Sequence, residues 1–144
     1  MFVLRPFQDT MIEDCRAEIM RGNRAICLVA STGSGKTVIG SAIIRSADDK
    51  GKQAMFMAHR RELVKQTANK LWEDGVEHGI IMAGQPLSHW PGVQIASIDT
   101  LRARYMNPKR KNQPELPPVA ILMIDECHRS LSPTYLKLIE HSKQ

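Results

Sequence analysis

The segment Ser31-Thr32-Gly33-Ser34-Gly35-Lys36-Thr37 follows a short apolar run at 25–30 (AICLVA) and precedes a stretch with helical spacing. A buried strand, a Gly-rich turn and a helix in immediate succession form the frame of a phosphate-binding loop, or P-loop. In that frame Thr32, Gly33, Ser34 and Gly35 make the cradle. The glycines let successive backbone N–H groups converge on phosphate oxygens, and the helix N-terminus adds the positive end of its dipole. Lys36 neutralises charge on the β- and γ-phosphates, and Thr37 offers a hydroxyl to Mg²⁺. The general pattern begins with glycine where this chain has Ala30, but Gly33, Gly35, Lys36 and Thr37 are all in place.

A strand covered on both faces calls for neighbours of the same kind. A second apolar run lies at 53–58 (QAMFMA), shorter strands are expected at 79–82 and 93–97, and a strong one at 119–124 (VAILMI). Helical patterns lie between them. Residues 6–21 put Met11, Ile12, Cys15 and Ile19 on one face, with Pro6 in the first turn and Gly22 as the stop. Further helices are expected at 36–47, after the 53–58 run with Leu63, Val64, Ala68, Leu71 and Trp72 on one face until Gly75, at 100–106, and after Pro133. Strands alternating with helices imply an α/β fold, a parallel sheet flanked by helices. At 144 residues there is material for one such domain and not for two.

Composition excludes several classes. The longest apolar runs, 25–30 and 119–124, fall far short of the roughly 20 residues that span a bilayer, so no membrane partner is expected. Met1 to Leu4 meet Arg5 and Pro6 before a signal region can form, so the expected location is cytoplasmic. Cys15, Cys27 and Cys127 are odd in number with no C-x-x-C pair, which fits reduced thiols and neither a disulfide framework nor a zinc site. The formal charge of +5 is compatible with a polyanionic partner but too modest to demand one.

Asp125-Glu126-Cys127-His128 come directly after the 119–124 run. An Asp leaving a strand can hold the Mg²⁺ of a bound nucleotide, and the next Glu can polarise the attacking water in phosphoryl transfer. Cys127 and His128, being neighbours, cannot supply a metal site. Ala30, Ala58, Ser97 and Ile124 each end an expected strand, which gathers the loops on one sheet edge, where α/β folds bind ligands.

In this order the residues resemble the superfamily 2 helicases, the DExH branch in particular. Leu4-Arg5-Pro6-Phe7-Gln8 resembles the family's adenine-reading Q motif. An amide such as Gln8 can accept from adenine N6 and donate to N7, selecting ATP over GTP. The resemblance implies that Arg5 packs on the base. Residues 58–66 (AHRRELVKQ) resemble motif Ia and 96–101 (ASIDTL) motif Ib, loops that touch the nucleic-acid strand in that family. Arg60 and Thr100 lie near strand ends that precede helices, where guanidinium, hydroxyl and backbone N–H groups can meet phosphates. For Arg60 a solvated helix start is an equal reading. His128, by resemblance, couples nucleotide state to nucleic-acid binding. The cluster Arg102, Arg104, Lys109, Arg110 and Lys111 suits a backbone-tracking groove, though a solvated basic loop accounts for it as well. His89-Trp90 offers either a stacking aromatic or a loop anchor.

The resemblance implies a RecA-like P-loop NTPase fold. Residues 1–144 would form the ATP-binding part of the first of two such domains. ATP and Mg²⁺ would be the cofactors, with Lys36 and Glu126 catalytic and Thr37 and Asp125 on the metal. The partner would be nucleic acid, DNA ahead of RNA, because LRPFQ with HRRELVKQ most resembles the repair, recombination and restriction branch. A motif III strand between the phosphate-loop strand and the Asp125 strand, and a second RecA-like domain with arginine fingers, are expected to be missing after His128. The chain would then be truncated, with little activity of its own. Two other readings stay open: a different P-loop enzyme such as a small-molecule kinase, and a non-catalytic module that binds nucleotide or nucleic acid.

Overall fold

Proline loses nothing in the first turn of a helix, where its missing N–H would have no partner. In the computed structural model, which describes residues 3–86, 92–112, 114–127 and 133–141, helix α1 (Pro6–Met20) begins on Pro6 and stops before Gly22 at φ +92°. There follow α2 (Lys36–Asp48), β1 (Ala54–Ala58), α3 (Arg61–Glu73), β2 (Gly79–Ile81), β3 (Val93–Ser97), α4 (Ile98–Tyr105), β4 (Ile121–Ile124) and α5 (Pro133–His141). The strands form a parallel sheet in the order β2-β3-β1-β4.

Alternation along the strands divides the core in two. Ala54, Phe56 and Ala58 of β1 and Val93 and Ile95 of β3 face Ile44 and Ala47 of α2 and Val64, Ala68 and Leu71 of α3. Met55, Met57, Ile81 and Ala96 face Ile98, Leu101 and Tyr105 of α4 and Tyr135 of α5. Every residue of β1 and β3 is therefore buried, which explains why both read as near-continuous apolar runs. On the α2 side, α1 is tied on by Arg16 Nη2, which donates to Ser46 Oγ at 3.1 Å.

Three expectations change. The run at 25–30 is not a strand. Apolar composition supplies the propensity but a ladder supplies the hydrogen bonds, and among the described residues β4 is paired only with β1. Val29 is 86% exposed, and Ile26 and Leu28 are each over a third exposed. The second change follows from the first: β4, expected as a strong core strand, is only half-buried along its length. The third is Trp72, 71% exposed. The buried stripe of α3 is Val64, Thr67, Ala68 and Leu71, and Trp72 lies one step round the helix from it, edge-on to His78 at 6.2 Å. Among the described residues no helix is long and apolar enough to cross a membrane.

Among the described residues β4 leaves one edge unpaired, a template for pairing with another chain, and exposed Ile26, Leu28 and Val29 add apolar surface. The 144-residue polypeptide should therefore self-associate with rising concentration in analytical ultracentrifugation. A monomer at high concentration with a single cooperative thermal melt would refute this.

Candidate active site

The register of the ladder decides where the site lies. Met57 pairs with Ile124 and Ala58 with Ser97, so three chains leave the sheet at one level of its C-terminal edge. They carry Asp125, the 59–60 segment and the start of α4. Asp125 stays on the ladder for one more bond, its N–H donating to Met57 O at 2.9 Å. Glu126 then turns the chain away at φ +55°, a left-handed conformation that costs a non-glycine residue on the order of 1–3 kcal/mol. His128, the expected coupling residue, lies outside the described residues, as do His89 and Trp90.

Burial, and then the neighbouring Glu126, raise the Asp125 carboxyl above the usual range. A backbone hydrogen bond at Glu126 and the positive charges of Lys36 and Arg60 pull the other way. Lys36 of the phosphate loop and Arg60 of the loop after β1 thus each lie near enough to Asp125 for their charge to favour its ionised form.

Gly33 at φ +80° and Gly35 at φ +79° flank Ser34, and a Ser34 N–H to Ser31 O bond of 3.2 Å closes the turn. This handedness, open to glycine, bends the loop onto the start of α2, where Gly35 is the N-cap and Lys36 and Thr37 are the first helical residues. Lys36 is exposed and Thr37 half-buried. Thr32 lies in the exposed turn before Gly33.

Gln8 is 3% exposed and fixed at both ends of its amide. Its Oε1 accepts from Arg5 N at 2.9 Å, capping α1, and its Nε2 donates to Ser34 O at 2.8 Å. A Cβ on Gly35 would sit 2.5 Å from that Nε2. Gln8 is thus a latch on the phosphate loop, a role no spacing in the sequence announces. Arg5 is the exposed N-cap residue beside it.

Arg60 is the N-cap of α3 and exposed. Thr100, by contrast, is 7% exposed, and its Oγ1 accepts from Ala83 N at 3.0 Å. The turn it holds is gripped by two further residues: Arg61 Nη2 donates to Ala83 O at 3.0 Å, and Arg104 Nη2 to Met82 O and Gln85 O at 3.3 and 3.1 Å. Arg104, read from sequence as part of a basic loop, is an anchor for this turn. His59 packs edge-on against the buried ring of Tyr135 at 5.5 Å, joining α5 to the loop after β1. Cys27 and Cys127, distant in sequence, place their sulfurs 3.5 Å apart. The Cys127 thiol is pushed up, first by its hydrogen bond with Cys27 and then by burial.

The arrangement joins an anion cradle, an ammonium group and a carboxylate at one sheet edge. The model of the type III restriction enzyme res subunit family matches residues 1–144, the whole chain. A Schizosaccharomyces pombe protein named as a mitochondrial ATP-dependent helicase, irc3, is 30% identical over 96% of this chain and 23% of its own length. The Saccharomyces cerevisiae protein named as the ATP-dependent helicase IRC3 is 30% identical over 98% of this chain and 21% of its own. A 51.5 kDa protein of a Lactococcus phage is 30% identical over 75% of this chain and 20% of its own. The chain thus spans about a fifth to a quarter of the length of these relatives. It belongs to the res-subunit family within the superfamily 2 helicases, and its parallel sheet follows their RecA-like P-loop fold.

Proposed function

We propose that this chain is the ATP-binding part of a nucleic-acid-dependent ATPase in which hydrolysis drives movement along, or unwinding of, nucleic acid, DNA ahead of RNA. The carrying observation is that the parallel register sets Asp125 and the 59–60 segment at one level of the sheet edge, while α2, whose N-terminus the Gly33–Gly35 loop enters, packs on that sheet. Helicase in the names of two relatives supports the same reading. Residues 1–144 form part of a first RecA-like domain, and a second one would complete the motor and supply arginine fingers. The protein works in the cytoplasm; the mitochondrial label belongs to the S. pombe relative.

Thr32, Gly33, Ser34 and Gly35 cradle the phosphates and Lys36 neutralises them. Bound Mg²⁺ supplies charge neutralisation at the phosphate oxygens. It fits oxygen donors such as the Thr37 hydroxyl and the Asp125 carboxylate, and commonly takes only one or two protein carboxylates beside phosphates and waters. Asp125 ends the β4 ladder at the sheet edge and Thr37 lies in the first turn of α2, so each offers an oxygen donor at the mouth of the loop. Glu126 orients the attacking water, Gln8 reads adenine, and Arg5 packs on the base. Arg60 meets the nucleic-acid backbone directly, Thr100 acts through the Ala83 turn it holds, and His128 couples the two sites. The small-molecule kinase reading leaves these loops without a use.

Three outcomes follow. Lys36→Ala should abolish Mg-ATP binding in calorimetry, while Glu126→Gln keeps binding and loses turnover. The 144-residue chain should turn over slowly, because an arginine finger is worth about 10³–10⁵ in rate. Strong nucleic-acid-stimulated hydrolysis by this chain, lost in Lys36→Ala, would contradict the need for a second domain. ATP-independent nucleic-acid binding unaffected by either change would favour a non-catalytic module.

Gly35→Ala should weaken ATP binding by about tenfold or more, roughly 1.4 kcal/mol, since its Cβ meets Gln8 and its φ is left-handed. Gln8→Ala should weaken ATP binding and narrow the preference for ATP over GTP. Unchanged ATP affinity in both variants would remove Gln8 from the site.

For Asp125 the folded carboxyl titrates above its unfolded value, so the ionised form subtracts from stability at neutral pH. Stability of the nucleotide-free protein should rise as pH falls through that raised value. Asp125→Asn should accordingly melt higher than the parent at neutral pH without Mg-ATP, and gain no further stability when Mg-ATP is added. A lower melting temperature for Asp125→Asn would overturn this balance.

A further inference from the structure

Residues 100–114 hold five of the chain's 20 Lys and Arg, namely Arg102, Arg104, Lys109, Arg110 and Lys111, and none of its 15 Asp and Glu. The formal charge of +5 is therefore carried by this one segment, and the rest of the chain is balanced. Arg104 is spent on the 82–85 turn. Arg102, Lys109, Arg110 and Lys111 are exposed, and among the described residues no carboxylate lies in ion-pair range of any of them. A surface that only needs to be solvated intersperses the two signs. A helix C-terminus favours cations, and Arg110 Nη1 meets that demand by donating to Arg104 O at 3.5 Å. Arg102, Lys109 and Lys111 are left with no structural use.

Topology sets these cations apart from the candidate active site. Helix α4 leaves the C-terminal edge of the sheet at Ser97, while β4 starts again at the opposite edge, where Ala120 N and Ile121 N donate to Gln53 O at 2.9 and 3.0 Å. The eight residues of α4 carry the chain about 12 Å along that way, so Arg102 lies partway down the helix and 109–111 beyond its end. The loop is held in a turn before anything binds, with Lys109 N donating to Asn107 Oδ1 at 3.1 Å and Arg110 N to Asn107 O at 3.0 Å. Its chemistry selects the partner. Within 100–112 the large apolar side chains are covered, Leu101 and Tyr105 buried and Met106 half-buried. A protein interface is anchored by exposed aromatic or apolar groups, and a membrane-surface helix by an apolar face. Cations beside exposed amides such as Asn107 and Asn112 suit a phosphate backbone.

We propose that Arg102, Lys109 and Lys111, with Arg110 beside them, form a second nucleic-acid surface that binds the phosphate backbone along the side of α4, apart from the loops at the sheet edge. A span of about 12 Å covers roughly three phosphates of a stacked strand at 3.4 Å spacing, one for each unused cation. The surface stands on charge and topology; that its ligand is the polymer on which the ATPase works rests on the function proposed above.

The test is fluorescence anisotropy of the 144-residue chain with a labelled single-stranded DNA of about 20 nucleotides, from about 50 to 200 mM salt. Combined Arg102→Gln, Lys109→Gln and Lys111→Gln should weaken binding roughly tenfold or more at the low end and make the log–log salt slope shallower by about 2, each strand contact contributing about 0.7. Combined Arg21→Gln, Arg24→Gln and Lys137→Gln removes the same charge elsewhere and should keep the parent's slope. A parent that binds no DNA at the lowest salt, a triple variant that follows the parent, or a control that loses as much would overturn the surface. Tighter binding of polyglutamate or of anionic phospholipid vesicles than of DNA at the same salt would overturn nucleic acid as its ligand. Mg-ATP affinity in calorimetry should be equal in the parent and the triple variant; its loss in the variant would mark a structural role and overturn the proposal. A parent that binds DNA through these cations but binds no Mg-ATP would refute the proposed function and leave the surface standing.

Discussion

Strand β1 is hydrogen-bonded along both edges and buried on both faces, and that double engagement sets the level at which the functional loops leave the sheet. Because both neighbours run parallel to it, the C-terminal ends of β3, β1 and β4 fall on the same edge; an antiparallel neighbour would have sent one loop to the opposite end. The pairs Met57 with Ile124 and Ala58 with Ser97 then bring Asp125, Arg60 and the start of α4 together from three distant parts of the sequence. A slip of one residue would reverse the faces of β1, exchanging Met55 and Met57 for Ala54, Phe56 and Ala58 in the two cores. The packing that buries the sheet is therefore what holds the carboxylate in place.

The phosphate loop is secured by other means. Its leading segment makes no ladder, so its position comes from α2, packed on the sheet through Ile44 and Ala47, and from Gln8 on α1. Both halves of the site thus rest on one sheet, the carboxylate through β4 and the loop through α2 and Gln8. A ligand with phosphate at one end of its charged group and a bound cation at the other would bridge the two halves and stabilise the folded state by mass action.

Much of the architecture was legible because period and punctuation agreed. Pro6 and Gly22 bracket α1, Gly75 follows α3, and runs of buried residues mark β1 and β3. What the sequence could not carry was pairing. Residues 25–30 have the composition of a buried strand, yet composition does not say whether a neighbour is there to complete its hydrogen bonds. Trp72 was misplaced for a related reason: hydrophobicity suggested the inner face, while the angular step from Leu71 sends it outward. Local chemistry singles out Gly33, Gly35, Lys36, Asp125 and Glu126, and the structure sets the two glycines in left-handed conformations before α2 and Asp125 at the end of the β4 ladder. The hold of Thr100, Arg61 and Arg104 on the 82–85 turn, and the grip of Gln8 on Ser34, depend on contacts between segments 17 to 26 positions apart and left no local trace.

Gln8 shows how a structural bond and a recognition role can share one side chain. A primary amide has two N–H donors and an oxygen with two lone pairs. The bonds to Ser34 O and from Arg5 N use one of each. What remains is one donor and one acceptor, the complement of adenine N7 and N6. Guanine presents acceptors at both N7 and O6, which would set its O6 against the remaining amide oxygen. The two bonds already made fix which end of the amide is oxygen, and a flip would lose both while only moving the clash from guanine O6 to N7. Under the proposed function, the latch that holds the phosphate loop is thereby also what gives the base site its polarity.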